Sequence, residues 1–504
     1  MQTQLAEPPQ TPGRAVFFKI VRSLFYGVCF GASFTSFADF FIERILLSSS
    51  AFLALLVQID RCKSKKEAFC WGSLFGIAFF STALFELYNA FKITGHTGLF
   101  LPCMVVLTSG LSLFISLPCV GAKFFRKKPL FLLFFCVFWV CGECLRAEVF
   151  PQLPAGLTLS LFSIDGSFWG IRFIQAAEIA GIYLLTLVWL LFLASFRTKR
   201  ADCIAIAASF CVYILCYGQS VLSDMTLPTD RINIAILQPN ISQKRKMDSA
   251  QRGAILRETV DFVRFVQEQA STPLDVIVLP ESSIPGLIFE GAPEIAVIQA
   301  AIQKIGTVVI FGADRAENTE SAESTEAPAQ PATKHTKKQI VWHNSMYAVS
   351  KHKIWGIYDK VQLLPFGEYI PLRRLFPAFF NYLVGGLDCT PGPPQEIIIG
   401  DDDTFTFLPK ICSESLFRYK VQNARWILAI LNDAWFGPSL RAQHFAIDKL
   451  RVIQARRPMV RVANNGISAV LDICGRVTAG LTEDCREYKL ITLDIGTTIK
   501  TPES

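Results

Sequence analysis

The chain has 504 residues with a formal net charge of +7, and 51% of its residues are hydrophobic and 12% aromatic. That apolar fraction is too high for an ordinary soluble protein, so part of the chain must face lipid. The Lys and Arg residues gather largely in short loops between apolar runs, and no nucleic-acid-binding motif accompanies them, so we expect no nucleic-acid partner.

The first half of the chain contains a series of apolar runs that are each long enough to cross a bilayer, which takes about 20 mostly apolar residues. The seven runs are Phe17–Phe37, Phe40–Ile59, Ala68–Phe91, Gly98–Val120, Pro129–Val149, Phe173–Phe196 and Ala201–Leu222. They predict an α-helical membrane bundle of about seven transmembrane helices over residues 1–225.

Basic residues fall on alternate loops of this bundle. The basic clusters are Arg14/Lys19/Arg22, Arg61/Lys63/Lys65/Lys66, Lys123/Arg126/Lys127/Lys128 and Arg197/Lys199/Arg200. Because Lys and Arg in short loops stay on the cytoplasmic side, the pattern places the N terminus inside. After seven crossings, everything beyond Leu222 lies outside.

From residue 229 to residue 497 the sequence alternates short apolar segments with amphipathic ones, which predicts an α/β layered domain. Predicted strands are Ile232–Leu237, Asp275–Leu279, Thr307–Phe311, Ile340–Val349, Ile354–Tyr358, Thr404–Ile411, Trp426–Leu431, Val460–Ala463, Ile467–Leu471 and Lys489–Leu493. Predicted helices are Ser249–Gln269, Ile295–Ile305, Leu416–Gln422 and Arg441–Gln454. Residues 313–338 are rich in Glu, Ala, Thr, Ser and Pro, which predicts a flexible surface insertion.

The 15 cysteines divide unequally between the two regions. Eleven lie between Cys29 and Cys216, where thiols act as small hydrophobic side chains in helices. The outer domain has Cys389, Cys412, Cys474 and Cys485, whose spacing does not match a zinc site, so we expect no metal or cofactor. An extracytoplasmic compartment permits disulfides, but the spacing leaves the pairing open.

Three chemically distinctive residues each follow an apolar strand. Glu281 follows Val276–Pro280, Lys360 follows Ile354–Asp359 and Cys412 follows Phe405–Ile411. Strand ends are where sites gather in α/β domains, so these side chains are candidates for a thiol-based acyl-transfer site without histidine. Taken singly, each has a plainer interpretation: a packing cysteine, a turn or helix-cap glutamate and a solvated lysine.

The segments around these residues resemble the carbon–nitrogen hydrolase (nitrilase) superfamily, and more narrowly its membrane-bound branch, the apolipoprotein N-acyltransferases. The similar segments are Leu279–Pro285, Tyr358–Pro371, Ile411–Glu414, Leu431–Gly437, Arg456–Pro458 and Ala463–Ser468. The resemblance implies a nitrilase-like αββα sandwich after the membrane bundle, and it extends over nearly the whole chain.

By this resemblance Glu281 is the general base, Lys360 stabilises the oxyanion and Cys412 is the nucleophile. Glu368 and Glu414 match supporting glutamates of the family that orient the other three. Trp435 and Phe436 lie in the segment Asn-Asp-Ala-Trp-Phe-Gly and are candidates either for lining an acyl tunnel or for filling the core.

The implied reaction has two steps. Cys412 takes an acyl chain from a phospholipid as a thioester, and the α-amine of the diacylglyceryl-cysteine at the N terminus of an apolipoprotein then attacks that thioester. The implied place is a bacterial inner membrane, with a multi-pass bundle and the catalytic domain on the periplasmic side. The apolar segment Leu375–Gly386 is expected to contact lipid, with Arg373 and Arg374 at phosphates.

Two rival functions remain open at this point. A membrane-tethered amidase or nitrilase would hydrolyse a small amide through the same three residues, with water in place of the amine. A catalytically silent scaffold would only bind lipoproteins, and Ser413, which stands where the family usually has tyrosine, fits that alternative.

Overall fold

The structure is a computed structural model. It describes the chain except for residues 1–11, 36–40, 126, 151–167, 225–229, 305, 321–337, 366, 371–372, 374–387, 398–404, 419 and 496–504. The chain divides into two compact units. The helical unit comprises Met1–Met225 and Phe436–Gln454, and the sheet unit comprises Thr226–Trp435 and Ala455–Ser504.

The helical unit is built from long apolar helices joined by short connections. Its helices are Pro12–Ala32, Phe41–Asp60, Lys65–Ala83, Tyr88–Ile93, Thr97–Ala122, Lys128–Val149, Phe168–Gln175, Ala177–Ser195, Ala201–Ser223 and Pro438–Ala455, and a 3₁₀ turn spans Phe85–Leu87. In the part of the chain that the structure describes, four helices are long and apolar enough to cross a membrane. These are Ile42–Asp60, Thr97–Ala122, Lys128–Val149 and Ala201–Ser223.

A fifth crossing is formed if Lys65–Ala83 and Phe85–Ile93, which are bent by 51° relative to each other, count as one span. The predicted crossing Phe173–Phe196 is interrupted at Gly181, whose φ of 66° and ψ of 169° are not helical. This break leaves a shorter apolar helix, Gly181–Ser195. Within the described residues the structure therefore supports four to five crossings, and seven remain a prediction.

Ionic contacts join several of the basic loops at one end of the helical unit. The Nζ atom of Lys19 lies 2.8 Å from Oε1 of Glu67. Asp60 forms an ion pair with Arg197, whose Nη2 lies 3.2 Å from Oδ2 of Asp60. The Nζ of Lys123 donates a hydrogen bond to the main-chain oxygen of Asp60 at 3.2 Å. Loops that the charge pattern assigns to the same side of the membrane thus lie next to one another.

Helix Pro438–Ala455 belongs to the helical unit, although the predicted domain boundaries assign it to the outer domain. Oε2 of Glu86 accepts a hydrogen bond from the main-chain N–H of Leu440 at 3.0 Å, which caps the first turn of the helix. Gln443 donates from Nε2 to the main-chain oxygen of Phe34 at 2.8 Å. A Cβ at Gly437 would lie 2.6 Å from the Glu86 carboxylate, so a larger residue there would displace this side chain. The sequence pattern gave no sign of these long-range contacts.

The described residues of the sheet unit form two sheets. Its strands are β1 Asp230–Gln238, β2 Val276–Val278, β3 Ile284–Phe289, β4 Val308–Glu320, β5 Lys338–Val349, β6 Ile354–Asp359, β7 Phe407–Ile411, β8 Trp426–Leu431, β9 Met459–Ala463, β10 Ala469–Leu471, β11 Val477–Gly480 and β12 Glu487–Ile495. The first sheet has the order β12-β1-β2-β4-β5-β6, with β3 paired to β4, and the second has the order β11-β10-β9-β8-β7. β2 pairs in parallel with β1 and β4, and β7 pairs in parallel with β8.

Alternation along β1 shows how the layers are built. Ile234 and Ile236 belong to the core between the two sheets, together with Trp426 of β8. Ala235 and Leu237 face the opposite core, which helices Arg252–Gln269 and Pro293–Ala301 cover. Successive side chains of a strand point to opposite faces, so one strand serves both cores. The described sheet unit thus has one helical layer and two sheet layers.

Several predicted elements differ from the observed ones. The polar residues 313–320 and Lys338, predicted within a flexible insertion, lie in the antiparallel pair β4–β5. Pairing through main-chain hydrogen bonds does not require apolar side chains, which explains the error. Residues 321–337 and the proposed lipid-contacting segment Leu375–Gly386 lie outside the described residues.

The predicted helix Leu416–Gln422 is wrong. A 3₁₀ turn at Cys412–Leu416 occurs instead, and an unpredicted strand forms at Ile284–Phe289. The main-chain N–H of Phe417 bonds back to the oxygen of Glu414, and Phe417 is extended, which ends the turn.

Candidate active site

The ends of three strands carry the predicted catalytic side chains. Glu281 follows β2 and Lys360 follows β6, both in the first sheet, whereas Cys412 follows β7 in the second sheet. All three are buried, at 7%, 1% and 7% exposure respectively. Glu281 and Lys360 both shift the pKa of the Cys412 thiol, and Cys412 lies in the core between the two sheets, so the three side chains share one site there.

Hydrogen bonds join the acidic and basic members of this site. The Nδ2 of Asn344, on β5, donates to Oε1 of Glu281 at 2.7 Å and to Oε1 of Glu368 at 2.9 Å. The Nζ of Lys360 donates to the same oxygen of Glu368 at 2.8 Å. Glu368 thereby links Lys360, the predicted oxyanion-stabilising residue, to the side-chain amide of Asn344. That amide also holds Glu281, the predicted base.

Burial sets the protonation of the base. It raises the pKa of Glu281 above that of an ordinary glutamate, and Glu368 adds to this effect, while Lys360, Asn344 and Lys246 oppose it. A carboxylate with a raised pKa accepts a proton more readily than a solvated one. Glu281 therefore has the electrostatic character of a general base.

Burial and the neighbouring charges act in opposite directions on the pKa of Lys360. Burial alone lowers the pKa of Lys360, but Glu368, the sulfur of Cys412 and Glu281 together raise it above the ordinary value. Lys360 therefore remains an ammonium ion at neutral pH. A buried cation with anionic neighbours is suited to stabilise a negative charge that develops on a substrate oxygen.

Cys412 is positioned by an uncommon backbone conformation. Its φ of 50° lies in the left-handed region, which a non-glycine residue adopts at an energetic cost. Burial raises the pKa of its thiol well above the usual range, with Glu281 adding to this and Lys360 opposing it. The resting sulfur is thus a thiol that needs a base when it attacks.

Glu414 ties the lysine segment to the cysteine segment. Its Oε1 accepts hydrogen bonds from the Tyr358 hydroxyl at 2.9 Å and from the main-chain N–H groups of Val361 at 2.8 Å and Gln362 at 3.0 Å. Its Oε2 accepts from the N–H of Ile411 at 2.8 Å. The structure therefore places Glu414 as a support for both segments.

Replacing Glu414 with glutamine is expected to destabilise the sheet unit by roughly 2 to 3 kcal/mol, because the buried donors lose a charged acceptor and one faces an NH₂ group. We expect a lower midpoint of thermal unfolding together with a slower rate of the acyl transfer that the resemblance implies. The exposed Glu290→Gln variant is the control. An unchanged midpoint in Glu414→Gln contradicts this role.

The loop that carries Glu281 lies close to the next strand. A Cβ on Gly312 would lie 2.6 Å from Cα of Glu281 and 2.8 Å from the nitrogen of Ser282, so no larger residue fits without a shift. Ser282 has a φ of 50°, and the N–H of Ser283 donates to the Gly312 oxygen at 2.9 Å. These contacts fix the main chain at the predicted base.

Trp435 and Phe436 lie at the boundary between the two units along the chain. Trp435 ends the 3₁₀ turn Asp433–Trp435 of the sheet unit, and Phe436 opens the segment that belongs to the helical unit. Both are partly buried. Arg461 holds this turn, with its Nη2 3.1 Å from Oδ2 of the fully buried Asp433. The role of the two aromatic residues in substrate binding stays a prediction.

The pattern of the sequence did not identify Asn344. It lies inside β5, in a run that reads as an ordinary strand, and only the structure shows its hydrogen bond to Glu281. Among the described residues, we find no group of three His, Cys, Asp or Glu side chains that could hold a metal ion.

Replacing Asn344 with alanine is expected to lower kcat/KM for the acyl transfer that the resemblance implies by roughly 10- to 100-fold, the usual value of a hydrogen bond to a charged group. Since Asn344 lowers the pKa of Glu281, its loss also moves the acid limb of the pH profile to higher pH. The exposed Asn423→Ala variant controls for nonspecific effects. Retention of both the rate and the pH profile in Asn344→Ala rules out this contribution.

Comparison with known proteins agrees with this geometry. Residues 233–503 match the family model described as Carbon-nitrogen hydrolase, and the chain belongs to that family. Residues 26–195 match a second model, described as Apolipoprotein N-acyltransferase N-terminal domain. The resemblance to the membrane-bound branch, inferred from the motifs, is thereby confirmed.

Individual relatives resemble the chain over most of its length. The apolipoprotein N-acyltransferase of Allorhizobium ampelinum is 29% identical over 450 residues, which cover 84% of this chain and 79% of that protein. The apolipoprotein N-acyltransferase of Caulobacter vibrioides is 28% identical over 474 residues, covering 89% and 84% respectively. Among solved structures, the glutamine-dependent NAD+ synthetase of Acinetobacter baumannii covers 54% of this chain and 49% of its own at 13% identity, with a TM-score of 0.34, too low to support an inference.

Proposed function

We propose that this protein transfers a fatty acyl chain from a phospholipid to the α-amine of the diacylglyceryl-cysteine at the N terminus of an apolipoprotein. The observation that carries the proposal is the buried group of Glu281, Lys360 and Cys412, with Asn344 and Glu368 joining the carboxylate to the ammonium. The two family models and the curated relatives named as apolipoprotein N-acyltransferases support it. Within the same proposal, residues 1–225 form the membrane bundle, and residues 229–497, apart from the helix Pro438–Ala455 that groups with the helical unit, form a catalytic domain of the αββα type that the resemblance implies.

In the first proposed step, Glu281 takes the thiol proton as the sulfur of Cys412 attacks the ester carbonyl of the phospholipid. Lys360 stabilises the oxyanion of the tetrahedral intermediate. When this intermediate collapses, the carbon–oxygen bond breaks and protonated Glu281 returns the proton to the leaving lysophospholipid oxygen. The acyl chain is left on Cys412 as a thioester, and the site is ready for an acceptor.

In the second step, the acceptor amine attacks the thioester carbonyl and Glu281 takes a proton from the amine nitrogen. The carbon–sulfur bond then breaks, and Glu281 returns the proton to the departing sulfur. The positive charge of Lys360 stabilises both the oxyanion and the thiolate that leaves. One carboxyl group therefore serves as base and acid in turn, and no histidine is needed.

Both substrates are lipids, which explains why a helical unit of long apolar helices accompanies the site. We place the protein in a bacterial inner membrane, with the catalytic domain on the periplasmic side. The alternating basic loops support this orientation. Four to five helices suitable for crossing a membrane lie in the described part of the helical unit, and the proposed topology has seven.

The experiment that tests the function uses the purified full-length protein in detergent, with a phospholipid and a diacylglyceryl-cysteine peptide. We expect the peptide to gain one amide-linked acyl chain and the phospholipid to become a lysophospholipid. The rival amidase hydrolyses a small amide and leaves the peptide unmodified. Amide hydrolysis without N-acylation of the peptide would overturn the proposal.

A further inference from the structure

The predicted base has a second ammonium group beside it, which the resemblance did not assign. Lys246 lies in the one-turn helix Gln243–Met247 after β1, and its side chain is buried, with 7% of the residue exposed. Its Nζ donates to the main-chain oxygen of Glu281 at 3.3 Å. A buried lysine is costly unless it is paired, so its place next to the base calls for an explanation.

We propose that Lys246 is a positioning residue for Glu281: it holds the main chain at the base and adds a positive charge beside the carboxylate. This inference rests on the proposed function, because it requires Glu281 to act as the base. Lys246 hydrogen-bonds to the main chain of Glu281, which Gly312 of the neighbouring strand also contacts closely. The loop of Glu281 is therefore held by the neighbouring strand and by a cation from a separate element.

The surroundings of Glu281 define what this charge does. The charged and polar groups that face it are Lys246, Asp314 on β4, Asn344 on β5, Lys360 and Glu368 after β6, and Cys412 after β7. Glu368 raises the pKa of the base, whereas Lys360, Asn344 and Lys246 lower it. Lys246 thus offsets part of the effect of burial and keeps a larger fraction of Glu281 ionised.

Lys246 also affects Asp314, and the two groups titrate close to neutrality. Burial lowers the pKa of Lys246 to about 8, while Glu281 and Asp314 raise it. Burial raises the pKa of Asp314 to about 7, and Glu281 and Glu368 add to this, whereas Lys246 and Arg252 oppose it. Lys246 carries its positive charge below pH 8. The acid limb of the pH profile of a carboxylate base lies in that same pH range. Its influence is therefore measurable on that limb.

The test measures the rate of acyl-enzyme formation on the full-length protein as a function of pH, with phospholipid as donor and intact mass as readout. Lys246→Met removes both the hydrogen bond and the charge, and Lys246→Gln keeps a donor but not the charge. Removing the cation raises the pKa of Glu281, so the acid limb moves to higher pH, by roughly one unit. At a pH on the acid limb, the rate of acyl-enzyme formation then falls about tenfold.

The controls separate charge from fold and from the proposed function. We expect Lys246→Arg and the exposed Lys244→Met to keep the acid limb of the wild type. If Lys246→Met does not fold, the comparison of Lys246→Gln with Lys246→Arg decides. An acid limb in Lys246→Gln that coincides with that of the wild type overturns the inference. Glu281→Gln is measured in parallel: if it forms the acyl-enzyme at the wild-type rate, the proposed function fails instead.

Discussion

Replacing Cys412 with alanine is expected to abolish acyl transfer, lowering the rate by roughly 10⁴-fold or more. The reason is that the proposed reaction passes through a covalent bond to this sulfur, and alanine has no atom that can form such a bond. The measurement is N-acylation of a diacylglyceryl-cysteine peptide by the purified variant. Because the thiol is a small buried side chain, its removal should leave the fold intact.

The matched control for this prediction is Cys485→Ala, since Cys485 is an exposed thiol of the same unit. It should acylate the peptide at the wild-type rate. Thermal unfolding of both variants checks that any loss of activity is not a loss of structure. Cys412→Ala with wild-type transfer would remove this residue from the mechanism and revive the scaffold alternative.

Replacing Lys360 with methionine is expected to lower the rate of transfer by about 10³-fold, the upper value for loss of one oxyanion-stabilising donor. The variant should also be less stable by about 3 to 5 kcal/mol, because the buried carboxylate of Glu368 then lacks the ammonium group that it pairs with. The pKa of Lys360 is raised in the folded protein, so its contribution is complete at and below neutral pH. The contribution of Lys360 to stability is lost only under strongly alkaline conditions. Unfolding measured at neutral pH therefore detects this contribution in full.

A double variant separates the two effects of Lys360. In Lys360→Met with Glu368→Gln, the unpaired buried carboxylate is gone, so the midpoint of thermal unfolding should recover much of its loss. The transfer rate should not recover, because the oxyanion still lacks its cation. Lys351→Met, at an exposed position, is the single-site control. Recovery of activity in the double variant would contradict the assignment of Lys360.

The sequence was sufficient to locate the three residues at the centre of the site. Glu281, Lys360 and Cys412 each end an apolar strand, and each begins a short segment with a specific order of residues. Strand ends in a layered domain gather at one edge, so local pattern and topology pointed to the same place. The structure brings these residues together, and their chemical roles are the subject of the proposal.

The parts of the site that the sequence did not predict depend on contacts between distant segments. Asn344 looks like any polar residue of a half-buried strand, and Lys246 looks like a solvated charge in a basic segment. Their functions arise because β5 and the helix Gln243–Met247 both approach the loop of Glu281. Periodicity and propensity report on local structure, so they do not reveal which distant side chains meet.

The same limit explains the errors in the fold. The helix after Gly437 has an amphipathic pattern that does not say which unit it joins, and its contacts with Glu86 and Phe34 decide this. Strand β3 is short and contains Pro285 and Gly286, so its sequence reads as a turn. It becomes a strand because β4 offers a paired edge.

The most direct test of the central claim is the intact mass of the purified protein after exposure to phospholipid without an amine acceptor. The account predicts that the wild type gains the mass of one acyl chain, that hydroxylamine or the acceptor peptide removes it, and that Cys412→Ala gains nothing. An acyl chain that still appears on Cys412→Ala, or a wild type that N-acylates the peptide without ever carrying an acyl chain, would contradict it.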